Sequence, residues 1–443
     1  MRFLHKGRIG VGGVSRRSFL TLLISSGIAK NSFGFSLSSI MGKGYKKISD
    51  AKCQTSGRVT GRSFLVSAPD GGYALTVSTL VDVELTKINA QGNPEWRSVW
   101  RKQGEEHAAR GLVALRDGGY ILVGATSSYE QSIDTWGKSV GLKQNGGARY
   151  PLVLRFDGVG KPLPYSIQSE VSDVNGAAIK HVIELSDGLV FLGVKNIDPI
   201  NKLGTDHGKL KIPVPWIFKV SSNGSLLWEH CLSADEGHLV KDMETVSGSI
   251  SKPTLDADGN IIFTSQVDIP RVSGSGKYNP FGDGDNPRLL LCKLDGNGRE
   301  LGRYRNFNCA NGIPIFKDSV IHIIAHTAVR GKPGVEHIVL GKEWQVLKSA
   351  SFTDEDVVPY AVASAPSGAG FHVLGLRISK GAQGAAATLA YLDDHGFKYE
   401  KSFGDGLWPG DMASGRDRSS IAITHSSGDE KFGITFHRFD FSD

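Results

Sequence analysis

The sequence predicts an all-β chain, a seven-bladed β-propeller of four-stranded antiparallel blades whose ring is closed by an N-terminal strand. Three observations lead there. A phrase built on an Asp-Gly turn recurs seven times, with starts at 70, 117, 187, 258, 318, 368 and 417. Glycine stands at 56 of 443 residues, against roughly 31 at a usual share of ~7%, so tight turns are frequent. No repeat leaves room for a helix of about 10 to 15 residues, which argues against alternating strands and helices.

The phrase is a small-residue strand, an Asp-Gly turn and an apolar strand. It reads Asp70-Gly71-Gly72-Tyr73-Ala74-Leu75, Asp117-Gly118-Gly119-Tyr120-Ile121-Leu122, Asp187-Gly188-Leu189-Val190-Phe191-Leu192 and Asp258-Gly259-Asn260-Ile261-Ile262-Phe263. Weaker copies begin at Lys317-Asp318-Ser319, Ser367-Gly368-Ala369 and Asp417-Arg418-Ser419. Downstream, a second hairpin answers each phrase, as in Leu85-Thr86-Lys87-Ile88 before Gln91-Gly92-Asn93 and Ile217-Phe218-Lys219-Val220 before Asn223-Gly224. Asn-Gly and Asp-Gly suit hairpin turns because positive φ costs glycine little. Two hairpins per repeat make a four-stranded blade. A β-sandwich pair or a solenoid would use the same strands, but a closed ring leaves no long exposed edge.

The last repeat specifies how the ring closes. Its third strand, Ile434-Thr435-Phe436-His437-Arg438-Phe439, is followed only by the residues to Asp443. The segment from Tyr45 to Val59 is left unassigned by the repeats, and it is expected to pair with Ile434 to Phe441 as the missing outer strand. Residues 1–43 are set apart as an export segment and linker, with the propeller occupying 44–443.

Those first 43 residues carry Arg2, Lys6, Arg8, Arg16, Arg17, Lys30 and Lys43 with no acid, so 44–443 hold 44 bases against 45 acids and the overall +6 is a property of the leader. A near-neutral body argues against nucleic-acid binding. Ser15-Arg16-Arg17-Ser18-Phe19-Leu20 precedes a short apolar run to Ala29, an order that reads as an export signal. It resembles the twin-arginine translocation motif, departing at Thr21 where lysine is frequent. The resemblance implies export of the folded chain to the periplasm or beyond. The run is shorter than the about 20 residues that a membrane span needs, so no span is expected unless the signal stays uncleaved as a tether.

The repeats themselves resemble bacterial secreted β-propellers built on Asp-Gly-Gly-Tyr-x-x-x-Gly followed by Lys-x-Asp-x-x-Gly-x-x-x-Trp, best in blades 1 to 4. This resemblance implies fold and not activity. Lys87 to Trp96 and Lys219 to Trp228 also look like quinoprotein repeats, but the adjacent cysteine pair is missing and the count is seven where that family usually has eight. No cofactor is therefore expected. Cys53, Cys231, Cys292 and Cys309 show no metal-ligand spacing, so neither a metal site nor a disulfide framework is indicated. Gly282-Asp283-Gly284-Asp285-Asn286 has alternating oxygens but lacks the twelfth-position Glu of a calcium loop, and it is read as a solvated turn. His322 and His326 lie in a strand-like run, where a spacing of four does not make a metal pair.

A binding site is expected where the blades become unequal. The loops joining second and third strands in blades 2, 3 and 4 run from about 129 to 150, 197 to 214 and 268 to 287, three long neighbours on one face. Trp136, Arg149, Tyr150, His207 and Tyr278 are the candidate ligand-binding residues, since rings stack on apolar faces while charges fix orientation. The starts of the first strands place Glu106, His107, Tyr360 and Asp411 at the channel mouth, where a His beside an acid suits a general base. Two functions follow: an exported, monomeric binding module for a glycan, peptide or partner protein, or a carbohydrate-active enzyme resembling the seven-bladed polysaccharide lyases, with His207 or Tyr150 as base and Arg149 facing the uronate carboxylate.

Overall fold

The computed structural model describes residues 45–441, except 58, 61, 80–81, 103–104, 134–138, 145–149, 169–170, 172–173, 175, 198–211, 233–244, 269–270, 273–277, 280–287, 307–308, 328–333, 353–356, 366–369, 379–384, 416–419 and 428–433. The chain divides into residues 1–43 and a second compact unit, Gly44–Asp443. In that unit every named element is a strand, and the strands group into seven antiparallel blades. Among the described residues no helix is long and apolar enough to cross a membrane.

Blade 1 comprises Phe64–Ser67, Tyr73–Ser78, Val83–Ile88 and Pro94–Trp100. Blades 2 to 6 begin with inner strands at Glu105–Ala114, Ala178–Leu185, Thr245–Ile250, Cys309–Lys317 and Val357–Ser364. Blade 7 joins Leu407–Ser414, Ser420–Ser427 and Ile434–Phe441 to the N-terminal strand Tyr45–Cys53. That strand runs antiparallel to the last one, from Tyr45 opposite Phe441 to Cys53 opposite Ile434, so the two ends of the propeller complete one sheet. Just beyond it, Ser56 donates its amide to Glu84 at 2.6 Å and its hydroxyl to Asp82 at 2.7 Å, tying the closing strand to blade 1.

The core lies between blades. Leu189-Val190-Phe191-Leu192 is buried throughout, because alternate side chains leave opposite faces of a sheet. Leu189 and Phe191 pack against Ile121, Val123 and Ile179 on one side; Val190 and Leu192 pack against Ile261, Phe263 and Leu290 on the other. Middle strands therefore read as continuous apolar runs, while outer strands such as Pro94–Trp100 and Val346–Phe352 alternate with solvent.

The Asp-Gly-Gly phrase has a physical basis in an ion pair. Asp70 Oδ1 accepts the amide of Gly72 at 3.0 Å, and its Oδ2 lies 2.7 Å from the ammonium of Lys87, only 3% exposed. Gly71 takes φ 85°, and a Cβ on Gly72 would sit 2.7 Å from Lys87 Nζ. One glycine supplies the turn, and the next, whose Cβ would lie 2.3 Å from the carbonyl of Ile88, lets the neighbouring strand and its cation come close. Asp117–Arg155 and Asp187–Lys219 repeat the pair at 2.7 Å each in blades 2 and 3, whereas in blade 4 Asp256, two residues before the phrase's own aspartate, pairs with Lys293 at 2.6 Å. Lys219 also donates to the carbonyl of Gly296 at 2.9 Å, which carries the link into the next blade.

A second complementarity joins neighbouring blades. Gly92, Gly160, Gly224 and Gly298 close their turns at φ of 88°, 82°, 87° and 82°, each amide donating to the carbonyl three residues back. A Cβ on Gly160 would meet Trp96 of blade 1 at 2.5 Å, and one on Gly298 would meet Trp228 of blade 3 at 2.7 Å. Between blades 4 and 5 the pair is exchanged. Trp344 occupies the turn position at φ 65°, and Gly302, which stands where Trp96 and Trp228 stand in their blades, leaves the space that the indole fills, with Trp344 Cε2 2.6 Å from a Cβ built there. Gly302→Trp alone is expected to destabilise by about 2 kcal/mol through overpacking, and Trp344→Gly alone to lose the ring's packing. The double variant restores the arrangement of the other blades. Urea unfolding checks this: a favourable coupling of about 1 kcal/mol or more between the two sites is expected, and additivity would contradict the exchange.

Candidate functional site

The inner strands do not cross the channel in regular register. Relative to their second strands, they break between Ala109 and Gly111, Ile179 and His181, Ser247 and Ile250, Ala310 and Ile313, Pro359 and Ala361, and Pro409 and Met412. Blade 1 breaks likewise between the bridge Val59–Thr79 and the pair Phe64–Thr76. A bulge re-aims side chains at the cost of local pairing, and here the interruptions fall at corresponding positions around the ring. They carry Arg62, Arg110, Lys180, Tyr360 and Asp411. Opposite three of them stand Gly124, Gly193 and Gly375. A Cβ on Gly124 or Gly193 would collide with the carbonyl of Ala108 or Ala178, and one on Gly375 would lie 2.8 Å from that of Val358.

These breaks surround a cavity of about 460 Å³ in the channel, lined by residues of all seven inner strands. Its walls are mostly apolar, including Phe64, Leu112, Ile250, Ile313, Val358 and Met412. The charged groups in its lining are Arg62, Lys252 and Asp411. Arg62 donates through Nε to the carbonyl of Gly410 and through Nη2 to that of Tyr360 at 2.7 Å. Its guanidinium also stands 5.1 Å from the centre of the Tyr360 ring. Burial lowers the Arg62 pKa, with Asp411 acting in the opposite sense. Asp411, 4% exposed, accepts the amides of Leu65 at 3.1 Å and Met412 at 2.9 Å. Arg62 and Lys252 flank it at 3.8 and 3.5 Å.

His181 also lines the cavity. Burial pushes its pKa down to about 3, helped by the nearby Lys252 and Lys180. The ring is thus neutral near pH 7, 3.4 Å from the carbonyl of Ile250. Lys180 is pushed down to about 8 by burial and by the charge of Arg110. Gly111 and Gly312 complete the lining where side chains would collide, Gly111 with the carbonyl of Lys180 at 2.5 Å and Gly312 with Leu289 at 2.7 Å.

The structure separates the residues singled out from sequence. Tyr360 and Asp411 line the cavity. Glu106 is half-buried at the start of the blade 2 inner strand. His107 is buried with its ring 4.5 Å from that of Trp100, and burial lowers its pKa, so it packs blade 1 against blade 2. Tyr150 is half-buried at the head of the third strand of blade 2, opposite Thr126. Tyr278 lies in a short hairpin, opposite Val272. Trp136, Arg149, His207 and the Asp283–Asp285 turn lie outside the described residues. His322 stands 3.0 Å from His337 on the neighbouring strand, and the four cysteines are buried thiols that form no disulfide. Among the described residues no group of three or more His, Cys, Asp or Glu is arranged for a metal ion.

Sequence reasoning missed Arg62, Lys252 and His181, which stand outside the recurring phrase. The available signal was a glycine interrupting an apolar strand, as at Gly124, Gly193 and Gly375, which marks a bulge or a close backbone approach.

No protein-family model matches the chain, and no curated protein matches it. Among solved structures it is similar to a streptogramin B lyase, at 10% identity over 90% of this chain and 98% of that one with a TM-score of 0.48. It is also similar to the hydrazine synthase of Kuenenia stuttgartiensis, at 12% identity over 84% and 94% with a TM-score of 0.49. At these identities and TM-scores neither likeness carries an argument about this chain, and no activity is carried across.

Lys180 provides a pH signature for the ring of bulges. With a folded pKa of about 8 against an ordinary 10.5, its charge is present below pH 8 and lost as pH rises through that value. In protein with isotopically methylated lysines, one resonance is expected to titrate near pH 8, and Arg110→Ala should move it upward. A Lys180 midpoint at the ordinary lysine value would contradict the placement.

Proposed function

We propose that the protein is an exported binding module whose ligand enters the propeller channel from the face that carries the long loops of blades 2 to 4. The single observation supporting this is the cavity of about 460 Å³, a size ordinary for small-molecule sites, with mostly apolar walls and a few converging polar groups. Its lining is drawn from all seven inner strands, so it sits on the channel axis. Trp136, Arg149, Tyr150, His207 and Tyr278 would then form the approach, with Tyr360 and Asp411 at the floor. A solute pocket rather than a reaction centre is favoured because burial pushes the His181 pKa down to about 3, which makes its ring a weak base near pH 7, and Asp411 is committed to two amides.

Ala361 is buried and lines the cavity. Ala361→Trp is expected to fill it while leaving the blades folded by circular dichroism. In a thermal-shift screen of sugars, short peptides and organic acids, true ligands should stabilise the parent protein and not the filled variant. Stabilisation of both alike would place binding elsewhere. Export rests on Arg16 and Arg17: replacing both by lysine is expected to leave the folded protein in the cytoplasm, and undiminished export would contradict the twin-arginine route.

A further inference from the structure

We infer that the channel cavity takes an organic acid, its single anionic group seated between Arg62 and Lys252 and its apolar body lying along the inner strands. The inference rests on the channel-binding reading and adds the chemical class of the ligand. Two cations and one carboxylate line the cavity, so its charged lining carries an excess of one positive charge. His181 adds none, being neutral above about pH 3.

Asp411 does not satisfy both cations. Its oxygens already accept the amides of Leu65 and Met412, and Arg62 and Lys252 stay at 3.8 and 3.5 Å, beyond ordinary hydrogen-bond length. A guanidinium carries five N–H donors, of which the carbonyls of Gly410 and Tyr360 engage two. An acceptor placed between the two cations would add charge-assisted hydrogen bonds that Asp411 does not provide. Arg110 and Lys180, on the neighbouring bulges, reinforce the positive field; each is close enough for Arg110 to lower the Lys180 pKa.

The same walls limit how much charge the ligand brings. Phe64, Leu112, Ile250, Ile313, Val358 and Met412 offer no hydrogen bonds from their side chains, and burying a further anionic group against them is costly. One acid group on an apolar body matches both parts of the cavity. A polyanion or a bare inorganic anion matches only one.

Calorimetry with octanoate, its neutral amide octanamide and sulfate tests the assignment. Octanoate is expected to bind the parent protein, with octanamide and sulfate each weaker by about tenfold or more. Lys252 is exposed, so Lys252→Gln should fold normally and weaken octanoate by about tenfold while leaving octanamide unchanged. Arg62→Lys, which keeps the charge and loses the fork, gives an intermediate loss. Absence of octanoate binding, equal binding of the amide, or equal binding of sulfate overturns the organic-acid assignment. The Ala361→Trp protein separates the two claims: octanoate binding that survives the filled channel overturns the channel reading itself, whereas loss of acid and amide alike with equal parent affinities removes only the preference for an acid.

Discussion

Each inner strand leaves its register once on the way through the channel, and the cavity and its charges depend on that break. A regular strand would turn alternate side chains into the gaps between blades, where Ile179 and Phe191 already pack. At the break the ladder register skips one residue, and the skipped positions supply Arg110, Lys180 and Tyr360 to the inner ring. It also forces the inner backbone over the second strand, which is why Gly124, Gly193 and Gly375 carry no side chain. In blade 7 the same close approach is met differently. Gly410 makes the close approach, while the Thr424 hydroxyl accepts the Asp411 amide at 3.0 Å and meets Ser63 at 2.8 Å.

Such a ring needs rigid blades outside it. The Asp-Gly-Gly turns supply part of that rigidity by holding a nearly buried lysine against an aspartate, at Asp70–Lys87 and Asp187–Lys219. A buried ammonium is tolerable because it is paired and hydrogen-bonded. Closure supplies the rest, since Tyr45–Cys53 completes blade 7 and continues through Ser56 to the acids of blade 1. At that seam His437 bonds Asp50 at 2.5 Å, a side-chain contact between the two ends of the propeller.

The fold was legible where a single residue type carries a backbone requirement. Asp-Gly and Asn-Gly mark turns because of positive φ, and the seven copies gave blade count and spacing. Closure was legible because the last repeat lacked an outer strand. The site was only half legible. Loop lengths are visible in a sequence, but register is a relation between two strands, so the bulges that bring Arg62, Lys252 and His181 together leave no mark at those residues. Tyr360 and Asp411 were chosen as strand starts at the channel mouth, but the structure places them at mid-strand register breaks, and it is the break that turns them to the cavity. His107 was chosen for its acidic neighbour, yet strand alternation turns it with Ala109 into the blade interface against Trp100.

A crystal structure of the protein soaked with 4-bromobenzoate tests the channel most directly, because bromine reports its own position by anomalous scattering. The account predicts one strong bromine peak inside the ring, with the carboxylate between Arg62 and Lys252 and the ring against Phe64 and Ile313. Bromine peaks confined to the outer surface of the blades, with the channel holding only water, would contradict it.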